Sequence, residues 1–341
     1  MIVREREPLA PRTTLGAGGS ARYFVEARDL SELKEAFSFA AQENLRVLPF
    51  GNGSNILVPD NGVDGVVVQS VADKIRLEES EGVARIVADA GASWDRLVEE
   101  ATARGMYGIE NLAGIPGTVG GAAVQNIGAY GSELSTVFVS AECIDTRTGH
   151  AVTIDGEAAG FGYRRSIFKD HPELFITRVI IRVSEIGTPN LAYADLARAR
   201  AEGVALGTPA EIAGAVRAIR SQKFPPRGTA GSFFKNPTLD APVGEALKAR
   251  FPDLPAYVQA DGRRKVSLAW LLDHALGLKG YARGPVRLFE RQPIVVVAET
   301  AATATAIDEF AREIETRVQN ELGFAIEREV ETFGSAKHDG A

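Results

Sequence analysis

The sequence has one cysteine, Cys143, in 341 residues. That excludes an intrachain disulfide framework and any multi-cysteine metal site. Its four histidines, His150, His171, His274 and His338, show no ligand spacing such as H-x₃-H, so no catalytic metal is expected. No apolar run approaches the roughly 18 residues needed to span a bilayer. The opening MIVREREPLAPRTT carries no apolar signal core. Positive charge is also in deficit: the net charge of −7 argues against a broad nucleic-acid or anionic-membrane surface. It leaves room for a local basic pocket that takes a phosphorylated small molecule. Cytoplasmic localisation in a reducing setting, no nucleic-acid partner, no membrane insertion and a monomeric state are the expectations.

What is present is the material of a globular protein, 45% hydrophobic and 24% charged, long enough for two or three domains. Strand and helix signals alternate over the first 105 residues. Asp29 opens a helix with Glu32 three residues on, and Leu30, Leu33, Ala36, Phe37 and Ala40 share a face. A strand follows over 46–50, then the turn GNGSN and strands over 65–69 and 84–88. Ser93 starts a second amphipathic helix. AECIDT and AVTI flank 147–150 as a hairpin, and LFITRVIIRV at 174–183 is a further strand. The polar, alanine-rich stretch 186–207 reads as a linker. Thr208-Pro209-Ala210-Glu211 is a strong helix start, and that helix runs to Lys223 before Pro225-Pro226. Short helices over 243–251 and 267–275, a strand over 294–298, a helix over 301–321 and a closing strand over 324–331 complete the pattern. Residues 335–341 are expected to form a frayed tail.

Glycine, at 35 residues, is unevenly spread. The turn Gly51-Asn52-Gly53-Ser54-Asn55 offers unshielded backbone N–H groups, which suits an anion-binding concavity. A plain tight turn between strands explains it equally well. It is neither a G-x-G-x-x-G fingerprint nor a Walker loop, since no GK[ST] follows. The segment GIENLAGIPGTVGGAAVQNIGAYG at 108–131 must bend repeatedly and come close to something. A loop this long and apolar is more often functional than structural. Two glycine-rich cradles without a dinucleotide fingerprint point to a different nucleotide-binding fold.

GNGSNILV, GIENLAGIPGTVGGAAVQNIGAYG, FGYRRSIFK, GSFFKNP and the terminal IEREV occur in this order. Together they resemble the motif set of the UDP-N-acetylenolpyruvoylglucosamine reductase (MurB) family, over residues 13–334. The resemblance implies an α+β, three-part flavoprotein with the FAD-binding fold of vanillyl-alcohol oxidase and its relatives. Residues 1–68 would form one FAD-binding subdomain, completed by 319–341. Residues 69–205 would form a second, and 206–318 a substrate-binding α+β domain. It further implies non-covalent FAD, NADPH as co-substrate and a UDP-sugar substrate. The reaction would reduce UDP-N-acetyl-3-O-(1-carboxyvinyl)-glucosamine to UDP-N-acetylmuramate, in peptidoglycan precursor synthesis.

Carried over position by position, Gly51, Asn52, Gly53, Ser54 and Asn55 would hold the FAD diphosphate. The loop Ile115, Pro116, Gly117, Thr118, Val119, Gly120, Gly121 and Ala122 would share that task. Gln125, Asn126, Ile127 and Gly128 would lie near the flavin. Arg164 resembles the arginine that pairs with the substrate carboxylate, Ser232 the proton donor and Glu329 the acidic partner. Tyr130 and Tyr163 would flank the reacting group. Tyr193 would sit on the substrate loop characteristic of one branch of the family, over the substrate diphosphate. Lys223 and Asn236 would contact that diphosphate, and Gln292 the nucleotide sugar.

The chemistry asks for these residue types. Reducing an enol ether that bears a carboxylate builds negative charge beside the carboxylate. A fixed guanidinium stabilises that charge, an effect typically worth about 100- to 1,000-fold per donor. The resulting carbanion is basic enough to take a proton from a serine hydroxyl. A carboxyl at position 329 would help only if protonated. Each residue alone has a plainer reading: Arg164 as one of two surface arginines, Ser232 as a turn residue, Glu329 as a solvated strand carboxylate. Three positions depart from the family pattern: Arg165 replaces an acidic residue, Arg328 replaces a proline, and TTL stands for NTF. The alternatives are an FAD-dependent alcohol or sugar oxidase of the same superfamily and a catalytically idle flavin- or nucleotide-binding protein. The oxidase reading is weakened because neither glycine-rich segment holds a histidine or cysteine for covalent flavin attachment.

Overall fold

The computed structural model describes residues 1–80 and 83–335. The chain begins with β1 (Val3–Pro8), β2 (Ser20–Ala27), helix α1 (Leu30–Gln42), β3 (Val47–Phe50), the short β4 (Ile56–Leu57) and β5 (Val63–Ser70). The first sheet has the order β1-β2-β5-β3, with β5 parallel to both neighbours and β1 antiparallel to β2. The valine run of β5 reflects burial on both faces. Val66 and Val68 face α1 through Leu33, Ala36, Phe37 and Ala40, whereas Leu30, expected on the same face, lies exposed at the first turn. Val67 faces Leu9, Phe24, Leu48 and Phe50 on the other side. Asp29 caps α1 by accepting from the Glu32 amide, as its spacing predicts.

A second, antiparallel sheet follows, built from β6 (Ile75–Ser80), β7 (Val83–Asp89) and three later strands. Helix α2 (Trp94–Ala103), helix α3 (Val119–Gln125) and the hairpin of β8 (Gly128–Ala129) and β9 (Ser132–Glu133) intervene. Then β10 (Phe138–Asp145), β11 (Ala151–Asp155), helix α4 (Ile167–Asp170) and β12 (Leu174–Val183) complete the order β11-β10-β12-β7-β6. The expected hairpin is present, with Ile144 opposite Ala151. Cys143 lies buried in β10, and burial pushes its thiol up to about 12.

The expected linker contains helix α5 (Ala194–Ala201), which turns Leu196 and Ala199 into the core and buries Asp195. Its apolar face is too small to register as periodicity. Helix α6 (Pro209–Lys223) has the full capping box at Thr208 and Glu211. Next come β13 (Thr238–Leu239), α7 (Ala241–Arg250), β14 (Ala256–Val258) and β15 (Arg264–Val266). The helix expected over 267–275 is one turn, α8 (Leu268–Trp270), continued by a π-turn over Leu271–Ala275. Strands β16 (Ala282–Arg283), β17 (Val286–Phe289) and β18 (Gln292–Ala298) precede α9 (Ala304–Leu322). The long strand expected over 324–331 is reduced to β19 (Glu331–Thr332), which runs parallel to β4. The segment before it follows the chain at 233–235 through irregular bonds, so only Arg328 opposite Phe234 forms a bridge. Of the expected tail, 336–341 lies outside the described residues. Among the described residues no helix is long and apolar enough to cross a membrane, and no cluster could hold a metal ion.

Candidate active site

A cavity of 1380 Å³ runs between the two sheets and the C-terminal elements. Small-ligand pockets are commonly about 300–1,000 Å³, so this one has room for more than a single small molecule. Gly51 to Asn55 line one wall and the 115–122 loop lines the facing wall, except Val119, which turns into the core.

The two glycine-rich walls come close enough to exclude side chains. Ser54 Oγ donates to the Pro116 carbonyl at 3.3 Å. Gly117 has φ +125°, and a Cβ there would meet Ser54 Oγ at 2.9 Å. At Gly53, φ is +61° and a Cβ would lie 2.4 Å from the Arg12 carbonyl. The TTL segment braces this turn, since the Thr14 amide donates to the Gly53 carbonyl. Among the described residues no protein acceptor takes the backbone N–H of Asn52, Gly53, Ser54 or Asn55. The amides of 119–122 are spent within α3 and on Ala90, Ala92 and Thr118, so 119–122 is not the open loop expected. Unpaired amides of the Gly51–Asn55 turn facing this glycine-rich wall suit a diphosphate, so the residues present fit FAD.

The catalytic candidates converge from three distant segments. Arg164 lies in the turn Gly162-Tyr163-Arg164-Arg165, closed by the Arg165 amide on the Gly162 carbonyl. Its φ of +56° puts arginine in the left-handed region, where such a turn favours glycine. Asn126 and Tyr130 share that uncommon conformation at φ 42° and 49°. Such strain costs on the order of 1–3 kcal/mol each and persists where surrounding contacts over-determine it, often at functional sites. Here Arg164 Nε donates to Glu329 Oε1 at 2.7 Å and Nη2 to the Gly128 carbonyl at 2.7 Å. Both side chains of the ion pair are largely buried, at 15% and 13% exposure. Burial is the largest single influence and works against the guanidinium charge, but Glu329, Tyr163 and Glu133 together hold the Arg164 pKa above its ordinary value. Gln125 Nε2 also donates to Glu329 Oε1, at 3.3 Å, so this oxygen serves as an acceptor here.

Ser232 is set by β18. It bridges Val295, the Phe233 amide donates to the Ile294 carbonyl, and the Glu329 amide donates to the Phe233 carbonyl at 2.8 Å. Phe233 and Phe234, essentially unexposed, anchor this short ladder in the C-terminal core. Ser232 and Glu329 are thereby fixed as neighbours on one wall, and Ser232 Oγ has no protein partner among the described residues.

The remaining candidates divide. Tyr130, Tyr193, Lys223, Asn236 and Gln292 all line the cavity. Tyr130 and Tyr193 pack edge to face at 5.1 Å, and burial pushes the Tyr130 hydroxyl up to about 12. Lys223 Nζ is bonded to Asp195 at the start of α5, two residues after Tyr193. Asn236 Oδ1 accepts from the Leu268 amide at 3.0 Å and so starts α8. Asn126 does not line the cavity: its amide donates to the Gly162 carbonyl at 2.9 Å and steadies the Arg164 turn. Tyr163 is also outside the lining, with Lys265 Nζ 3.4 Å from its ring centre. Arg165 points outward, 74% exposed, toward Asp170. Arg328 binds Asp308 and Glu315 of α9, which ties the segment carrying Glu329 to that helix. Neither substituted arginine competes at the cavity. Arg220 lines the cavity and was not singled out from sequence; the available signal was its position one helical turn before Lys223.

Residues 21–155 match the FAD binding domain, and 222–333 match the C-terminal domain of UDP-N-acetylenolpyruvoylglucosamine reductase. The chain is 38% identical over 333 residues to the UDP-N-acetylenolpyruvoylglucosamine reductase of Pseudomonas aeruginosa, covering 96% of this chain and 98% of the relative. It is 39% identical over 327 residues to the enzyme of that name from Cupriavidus pinatubonensis, covering 94% and 96%. The crystal structure of the Thermus caldophilus reductase (MurB) superposes with a TM-score of 0.68 at 28% identity, over 97% of this chain and 100% of that one. The motif order, the paired glycine cradles and this end-to-end similarity agree: the chain belongs to the UDP-N-acetylenolpyruvoylglucosamine reductase family.

Proposed function

We propose that this protein catalyses the NADPH-dependent reduction of UDP-N-acetyl-3-O-(1-carboxyvinyl)-glucosamine to UDP-N-acetylmuramate through FAD, in the cytoplasm and as a monomer. The observation that supports this most is the convergence of Arg164, Ser232 and Glu329 on one cavity whose facing walls are glycine-rich cradles. When bound, FAD supplies a two-electron carrier that NADPH reduces and the enol ether reoxidises. Gly51–Asn55 would hold its diphosphate through backbone amides, with residues 115–122 forming the close, side-chain-poor wall opposite. Arg164 binds the substrate carboxylate through donors not spent on Glu329 and Gly128, and stabilises the charge that develops there. Glu329, fixed by Arg164 and Gln125, keeps that guanidinium in place. Ser232 Oγ, with no competing protein partner, delivers a proton to the adjacent carbon. Tyr193 and Lys223 hold the substrate diphosphate with Asn236, and Gln292 reaches the nucleotide sugar. The three-part division at 1–68 with 319–341, 69–205 and 206–318 belongs to the same reading.

The test is anaerobic reduction of the purified yellow protein by NADPH, followed by addition of the enolpyruvyl sugar nucleotide. Stoichiometric recovery of the oxidised flavin spectrum together with UDP-N-acetylmuramate is the expected result. A reduced enzyme that ignores this substrate but is reoxidised by dioxygen after turnover of an alcohol would overturn the proposal in favour of an oxidase.

A further inference from the structure

Tyr193 reaches the cavity from a segment with little apolar material to hold it. Between Val183, where β12 ends, and Tyr193, the N-cap of α5, Leu191 packs partly against the core while Ile186 is 89% exposed. Two asparagine amides supply the fastening. Asn190 Nδ2 donates to the Gly131 carbonyl at 2.9 Å, and its Oδ1 accepts from the Ala192 amide at 3.2 Å. The second bond is an Asx turn, which bends the chain toward Tyr193. Asn111, 1% exposed, donates through Nδ2 to the Tyr130 carbonyl at 2.8 Å and to the Asn190 carbonyl at 2.7 Å. Its buried Oδ1 has no protein partner among the described residues. A buried amide left half-satisfied is costly, so what this position gains over an apolar residue is its two donors. The fit is close: at Gly131, with φ +78°, a Cβ would lie 2.6 Å from Asn190 Nδ2. The Tyr193 ring is thereby seated edge to face on Tyr130, at 5.1 Å between centres. Neither asparagine lines the cavity itself.

We propose that Asn190, held by Asn111, is a positioning residue for capture of the sugar nucleotide. The two amides clamp the segment after β12 onto the Tyr130-Gly131 turn and so preset Tyr193 over the cavity. This rests on the reading above, in which Tyr193 holds the substrate diphosphate, and it names the residues that set that ring in place. A segment left loose would lose conformational entropy on ordering around the ligand, so the clamp tightens binding without touching it. The competing explanation is a plain Asx turn, which shapes the segment locally and has no bearing on Tyr193.

Asn190→Asp separates these explanations, because it keeps the acceptor for the Ala192 amide and removes the donor to Gly131. Loss of one neutral hydrogen bond predicts a Kd for the enolpyruvyl sugar nucleotide raised about 3- to 10-fold in both Asn190→Ala and Asn190→Asp. Calorimetry on the FAD-loaded enzyme without NADPH reads that change. Flavin reoxidation at saturating substrate should stay within about twofold, a change in KM with kcat kept. FAD retention should not move, since Gly51–Asn55 lie on another wall. The decisive readout is a double-mutant cycle. Added to Tyr193→Ala, Asn190→Ala should shift Kd by less than about twofold, because the ring it positions is gone. The proposal fails if Asn190→Asp binds substrate as wild type does, which leaves the Asx turn alone. It also fails if the Asn190 and Tyr193 effects multiply, or if Asn190→Ala loses FAD in step with substrate. A wild-type protein that does not bind the sugar nucleotide at all would instead sink the underlying functional reading, and the clamp with it.

Discussion

Ser232 illustrates how a single side chain can be isolated for one task. Its backbone is clamped between β18 and the segment that carries Glu329, while its hydroxyl has no protein partner among the described residues. Ser232→Ala should therefore keep FAD and accept electrons from NADPH at close to the normal rate. Reoxidation by the enolpyruvyl substrate should slow by about 100- to 10,000-fold, the usual span for positioned acid catalysis. Stopped-flow absorbance at the flavin band resolves the two steps, and reoxidation within a few fold of wild type would make Ser232 a turn residue. Arg164, Ser232 and Glu329 were legible because each sits in a motif with a distinctive local sequence. Arg220 was not, because its place on the cavity wall follows from how α6 packs against the Gly114 loop, which no local motif announces. Asn126 and Tyr163 were legible as important but not as what they are. Both belong to loops that touch the site, and only the fold decides that Asn126 braces the Arg164 turn instead of lining the cavity.

At the scale of elements, the capped helices α1, α2, α6 and α9 followed their apolar spacing and N-cap residues closely. Helix α5 escaped notice because it is held by polar contacts, with Asp195 bonded to Arg198 and Lys223, more than by an apolar stripe. The closing strand was overestimated because alternation around Glu329 reflects one face on the cavity and the other on α9, with no regular ladder on either side. A cross-element cap offers a test of how α9 is seated. Asp60, from the loop after β4, accepts from the Ala304 amide and from the Thr305 amide and hydroxyl at the start of α9. Asp60→Ala should lower the free energy of unfolding by about 1 kcal/mol, as loss of a helix cap does. These bonds depress the folded-state pKa of Asp60 despite the opposing effect of burial. The stabilisation is therefore complete above the unfolded carboxyl value near 4 and is lost as pH falls through the lower folded value. Urea titrations at pH 7 and pH 3 check this; a difference between wild type and variant that is as large at pH 3 would contradict it.

The whole molecule encloses its cavity with all of its major parts: the first sheet supplies Gly51–Asn55, the second region Arg164, and the C-terminal elements Ser232 and Glu329. FAD at about 100 times its Kd should stabilise the native state by about 2.7 kcal/mol and raise the thermal midpoint by on the order of 5 °C. The two tryptophans make the test local. Trp94 is buried in the core under the second sheet, and Trp270 packs in the C-terminal cluster. Single-tryptophan variants should report the same upward shift, and a shift confined to Trp94 would mean that the C-terminal part unfolds on its own. The ion pair between Arg164 and Glu329 joins positions 165 residues apart, and β19 completes a pairing that β4 begins near residue 56. During synthesis, both halves of the flavin cradle leave the ribosome long before Glu329 does. A nascent chain can thus form the two glycine-rich walls early, yet it cannot form the pair between Arg164 and Glu329 until translation has passed residue 329. Closure of the cavity wall that carries Glu329 is therefore timed by topology to the emergence of residue 329.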